Sequence, residues 1–360
     1  MDSFSQDFLV LIGVSLGNLV GSTVKLPKKL DWENIYDVAD AQGVLAVIYD
    51  VIEKLPEESR PDLELLMEWV GQVNIMECMY EQHKTVIGKL ANFYSSRGIG
   101  LMLLKGYGLS LNYPIPNHRP VGDIDSYNFG RWQQADEAIK KIYGIEIDNS
   151  HHHHTVFKFE GVTVENHYEF INTKGHRSSV AFEKRLEELS QKPCAILEVG
   201  NSKISIPHPD FNALFILRHC AGHFRATQLT LRQLLDWLLF VKKEHNRINW
   251  DDLYTFLEKM NLNRFANCLN AIGVKYLGFE KDLFPEIEKD DKLVDRVLND
   301  ILSPEFTERE DGTFIGGLRV KPRRWWHNRW KQGICFPDSL LSDFLHQFYA
   351  KLLKPAHFRD

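Results

Sequence analysis

Two aspartates separated by one apolar residue, Asp123 and Asp125, lie in the stretch HRPVGDIDSYNF at 118–129. On a strand, successive side chains alternate faces, so these two carboxylates share a side while Ile124 enters a core. Adjacent carboxylates repel each other unless a cation, a proton or an arginine lies between them. Oxygen ligands at this spacing suit a hard divalent metal. The competing reading is a solvated turn at a strand start, because Asp and Gly both favour turns.

Further residues of the same chemical type lie on either side. Upstream, LLKGYGL reads as a strand ending in Lys105 and Gly106 at the start of a helical turn. Downstream, VTVENHYEF reads as a strand that offers a third acid, Glu165, with His167 on the same face. Three acids on neighbouring strands, beside a helix opened by glycine, suit a metal-bound triphosphate. Backbone N–H groups hold the phosphates and carboxylates hold the metal.

The elements that must position these groups follow from periodicity. Residues 1–98 read as helices, with an interruption at Gly43 and a single long helix from PDLELL to Gly98. Then IGLMLLKG and GDIDSYNF read as short strands, RWQQADEAIKKIYG as an amphipathic helix, and TVFKFEG with VTVENHYEF as a hairpin turning at Gly161. After IPHPD the pattern is helical again, with Asn249 as a cap, and a final helix is expected in DSLLSDFLHQFYAKLL.

The order LKG, a basic residue, GDID, an acid-x-His strand, a helix with paired histidines and LRQLLDW resembles the uncharacterised nucleotidyltransferase family of the DNA polymerase β-like superfold. The resemblance runs from about 100 to 280. It implies an α+β fold, in which a small mixed-sheet core at 99–207 is flanked by helical regions at 1–98 and 208–300, with a basic aromatic segment and terminal helix at 301–360. It also implies Asp123, Asp125 and Glu165 as the residues around two magnesium ions, with Glu165 as the third catalytic acid. Gly106 becomes the phosphate turn, with Lys105 and Arg119 as phosphate contacts. Lys105-Gly106-Tyr107 stands where well-studied members of the superfold have Gly-Ser, and Glu165 where Asp is commoner. Two metal ions about 4 Å apart serve the attacking and leaving oxygens of such a transfer.

Other features are read more plainly. HHHH at 151–154 is expected to be a solvated hairpin arm, because strand alternation would divide its rings between two faces. HCAGH places His219 and His223 one turn apart on a helix, without the glutamate of a zinc protease motif. With His167 they are candidates to face a cleft. Asp236, on an apolar helix, is expected to pair with Arg232 one turn before it, or with Arg218 or a histidine of the preceding helix. RVKPRRWWHNRWKQ at 319–332 interleaves cations with tryptophans, which suits single-stranded nucleic acid. It also suits a strap whose tryptophans dock while its cations reach water, the favoured reading.

Over the 360 residues, 44% hydrophobic and 26% charged residues describe a globular chain, and the net charge of −6 argues against a generally basic nucleic-acid binder. Five scattered cysteines without a CxxC pair or a leader suggest a reduced, cytoplasmic protein. No apolar run approaches the ~20 residues of a membrane span. The expected function is transfer of a nucleoside monophosphate from a nucleoside triphosphate, ATP first, to a small-molecule acceptor. The alternatives are a non-catalytic nucleotide-binding or protein-interaction module, and a toxin-like modifier of tRNA or protein.

Overall fold

The structure is a computed structural model, and it describes residues 2–19, 30–174, 177–226, 228–306, 320 and 323–339. Helices α1 (Ser3–Ser15), α2 (Trp32–Ala41) and α3 (Leu45–Ile52) come first. Gly43, at φ +66°, separates α2 from α3. The long helix α4 (Leu63–Ser95) follows, and its first turn is capped by Asp62, which accepts from the Leu65 N–H at 3.0 Å. At 1.5 Å per residue it runs for about 50 Å.

The sheet elements are β1 (Met102–Leu103), α5 (Tyr107–Ser110), β2 (Ile124–Tyr127), α6 (Trp132–Tyr143), β3 (His154–Phe159), β4 (Val162–His167), α7 (Ser179–Ser190), β5 (Ala195–Val199) and β6 (Ser202–Ile206). The helices α8 (Pro209–Ala226), α9 (Leu231–Glu244), α10 (Trp250–Lys259), α11 (Asn263–Leu277) and α12 (Asp291–Leu302) complete the larger elements. The fold is α+β. Its six-stranded mixed sheet has the order β3-β4-β2-β1-β6-β5, with β2 parallel to β4 and β1 parallel to β6.

The expected hairpin turns at Glu160 and Gly161, both with positive φ (49° and 84°), as a tight primed turn requires. The β5–β6 hairpin was not anticipated. Four of the five β5 residues are at least partly exposed, and Ile196 is 60% exposed, so that strand carries no clean alternation to read.

Two compact units are present. One holds the described residues through Val73 and Ile216–Pro337; the other holds Asn74–Phe215, joined by Asp338. Within the second, one sheet face packs Leu103, Ile124, Phe157 and Val164 against Ile87 and Leu90 of α4 and Ile139 of α6. A polar anchor lies within this packing. Asp136 of α6 accepts from Thr155 Oγ1 at 2.8 Å and from Asn166 Nδ2 at 2.7 Å, which ties the helix to β3 and β4. The opposite sheet face carries the acids.

In the first unit, the expected Asn249 cap accepts from the Asp252 N–H at 3.2 Å. The described part of 319–332 departs from a strap whose cations all reach water. Lys331 is buried and paired with Asp300 at 2.6 Å, while Trp326 is the ring left 58% exposed. Trp330 packs edge-on against Phe224, with the Arg296 guanidinium 4.0 Å from its ring centre. Arg319, Lys321 and most of the expected terminal helix lie outside the described residues.

Candidate active site

The site is built on β2 and β4. Their parallel register sets Asp125 opposite Glu165 and Tyr127 opposite His167. Because alternate residues share a face, Asp125, Glu165 and His167 emerge together while Ile124 and Val164 enter the core. Asp123 stands just before β2, exposed as a residue, with its carboxyl close enough to those of Asp125 and Glu165 to feel their charges. The three predicted acids therefore converge, with His167 among them.

Lys105 approaches from the end of β1. The Leu104 N–H donates to the Asp125 carbonyl at 3.1 Å, and the Lys105 ammonium reaches Asp125 Oδ1 at 2.8 Å. Gly106 follows with φ +51° and ψ −114°, a backbone shape that side-chain-bearing residues avoid. An added Cβ there would lie 3.5 Å from the Asp123 carbonyl oxygen, so the turn runs alongside the start of β2. Helix α5 after it has only four residues.

Helix α4 holds the loops around this turn. Tyr80 packs on Tyr107, and its hydroxyl lies 3.1 Å from that of Ser110. Glu77 accepts from Asn117 Nδ2 at 3.0 Å, and His83 Nε2 donates to the Gly122 carbonyl at 2.5 Å. Sequence reasoning did not find Glu77 or His83. They sit some forty residues away on a helix whose pattern shows only packing. Arg119, expected as a phosphate contact, is buried, and its Nη1 donates to the Pro120 carbonyl at 3.1 Å.

The electrostatics of the acids differ. Burial would raise the Asp125 pKa, but Lys105 and the hydrogen bond from His167 outweigh it and hold the carboxyl well below the usual range. Burial acts the same way on Glu165, where the His167 hydrogen bond prevails and the value falls to about 2. On Asp123 the charge of Lys105 is the smaller influence. Burial and the charges of Asp125 and Glu165 push Asp123 up to about 6. Lys105 and His167 both rise, since the carboxylates overcome the effect of burial. Negative charge thus exceeds positive charge on the Asp123 side.

The donor set fits a hard cation. Oxygens of Asp125 and Glu165 and a nitrogen of His167 lie within 4.8 Å of one another, and Asp123 adds a further carboxyl.

The HHHH reading is corrected. His151, His152 and His153 are half-buried and His154 is buried, so the run is no solvated arm. Strand β3 begins only at His154, and alternation therefore does not separate His153 from its neighbour. The rings of His153 and His154 meet edge-on at 4.2 Å, and both approach His167. His219 and His223 stack edge-on at 4.5 Å on α8, within the other unit.

The chain belongs to the uncharacterised nucleotidyltransferase family, whose model matches residues 28–277. No curated protein matches. Among solved structures, the chain is similar to an antigenic nucleotidyltransferase-like protein from Paracoccidioides brasiliensis at 15% identity and a TM-score of 0.35, over 58% of this chain and 94% of that one. No helix among the described residues is long and apolar enough to cross a membrane.

Proposed function

We propose that the chain is a magnesium-dependent nucleotidyltransferase that moves a nucleoside monophosphate from a nucleoside triphosphate to an acceptor, with a small molecule as the first candidate. The observation that carries this reading is the pairing of Asp125 with Glu165 across parallel strands, with the Asp123 carboxyl close enough to both for their charges to act on it. Three carboxylates then bound one small volume beside the Lys105–Gly106 turn.

In this reading Asp123 and Asp125 are the metal ligands and Glu165 takes the acceptor proton. Bound magnesium supplies charge neutralisation on the phosphates and eases ionisation of the acceptor hydroxyl. The acceptor oxygen attacks the α-phosphorus, the bond to the β-phosphate oxygen breaks, and pyrophosphate leaves. Lys105 has its ammonium beside Asp125 and lies next to the Gly106 turn, which suits contact with the β- and γ-phosphates. Arg119 is the second candidate for that contact. His167 fixes the carboxylates by hydrogen-bonding Asp125 at 3.1 Å.

The test is mass spectrometry of the protein and candidate acceptors after incubation with each of the four triphosphates and magnesium. A nucleoside monophosphate adduct with matching pyrophosphate release is expected, and Asp123→Asn abolishes both. Nucleotide binding without pyrophosphate release under every combination would instead favour a non-catalytic binding module. An adduct on tRNA or on the protein would reassign the acceptor.

A further inference from the structure

We propose that His153, His154 and His167 form a second cation site, distinct in ligand chemistry from the carboxylate group and suited to a divalent transition ion of the zinc class. A nitrogen from each of these three rings lies within 4.8 Å of the others. Bonds of 2.0–2.1 Å to a tetrahedral ion place nitrogens about 3.4 Å apart, so the widest pair has to close by at most about 1.4 Å. Rotations of the rings supply a movement of that size without moving the strands.

The backbone around the rings is held from several directions. His154 and His167 are register partners on β3 and β4. The His153 carbonyl accepts from the N–H groups of both Tyr168 and Glu169, at 3.0 and 3.1 Å, which fixes the residue against the end of β4. The His153 Nδ1 is buried and makes no hydrogen bond, although a buried ring nitrogen ordinarily has a partner. A bound ion would satisfy it.

The surrounding charges suit a cation. Glu165 Oε2 lies 3.8 Å from His154 Nδ1 and 3.5 Å from His167 Nε2, so a carboxylate stands at the fourth corner of the cluster. The His167 Nδ1 faces the Glu169 carbonyl at 3.2 Å, the kind of outer contact that orients a ligating imidazole, and its Nε2 would exchange the Asp125 hydrogen bond for the ion. Imidazole nitrogens select zinc, copper, cobalt or nickel over magnesium.

The experiment uses Co2+ as the probe, titrated into the whole protein in saturating Mg2+, and follows the visible absorption of low-coordinate, nitrogen-ligated cobalt. A band that Zn2+ competes away is expected. His153→Ala and His154→Ala should each weaken it by at least the 10–100-fold that loss of an outer-shell partner costs. His153 is only half-buried, so its variant gives an answer even if His154→Ala fails to fold, with circular dichroism as the check. Asp123→Asn should retain the band. Absence of the band in the wild type, a band unchanged by His153→Ala, or a band lost in Asp123→Asn would each overturn the proposal. The last outcome would place the ion among the carboxylates.

Discussion

Asp125 meets Lys105 at 2.8 Å and His167 at 3.1 Å, whereas the close partner of Asp123 is another carboxyl, that of Glu165. Neutralising the two aspartates should therefore have opposite structural consequences. Asp123→Asn relieves repulsion and should leave the thermal midpoint unchanged or raised while abolishing magnesium-dependent turnover. Asp125→Asn strands the ammonium of Lys105 and should cost about 1–3 kcal/mol of stability besides activity. Denaturation curves of the two variants check the contrast, and equal losses would contradict it. The acids themselves were legible in the sequence, because a D-x-D pair and an acid-x-His strand carry their spacing on their face. That Lys105 already bonds Asp125 was not, since the contact depends on how β1 and β2 pair.

Gly106 belongs to the scale of the element. Its φ of +51° and ψ of −114° end β1 and begin α5, and the nearest atom to an added Cβ is at an ordinary 3.5 Å. Gly106→Ala should thus cost about 1–3 kcal/mol through backbone strain rather than overlap, and weaken nucleotide binding because the turn shifts. Urea denaturation and calorimetry measure the two effects. Glu183 of α7 anchors the segment after β4 by accepting from the N–H groups of Phe170 and Ile171, at 2.8 and 3.0 Å. Burial, helped by Glu169 and Glu187, outweighs those hydrogen bonds and pushes its pKa up to about 7.

Between its ordinary value near 4.5 and about 7, the folded chain binds the Glu183 proton more tightly than the unfolded chain does. This contribution to stability accordingly falls as pH rises through that window and is flat above it. Relative to wild type, Glu183→Gln should therefore gain stability from about pH 4.5 to about pH 7 and hold that gain above it, as urea midpoints would record. A constant difference would refute the assignment. Long periodic elements such as α4 and α6, and the turn at Gly161, were legible because pattern and turn chemistry agree. The run at 151–154 was misread because strand alternation was applied to residues that precede the strand.

At the scale of the whole molecule, Lys331 ties the basic aromatic segment into the first unit. Its ammonium and the Asp300 carboxylate are almost fully buried, 1% and 0% exposed, and 2.6 Å apart. Lys331→Met leaves a buried aspartate and should cost about 3–5 kcal/mol, whereas replacing both residues by apolar ones should restore most of it. Thermal denaturation of the single and double variants measures the coupling. Neither this pair nor the division of the chain within α4 and α8 was visible in sequence, because both depend on contacts between distant segments.

The family assignment rests on the match over 28–277, while the chemistry proposed for it rests on three carboxylates sharing one volume. Calorimetric titration of ATP into wild type and Asp123→Asn, with and without magnesium, tests that chemistry most directly. The account predicts binding that requires magnesium in the wild type and is lost in the variant. Equal affinity in both proteins, or affinity indifferent to magnesium, would contradict it.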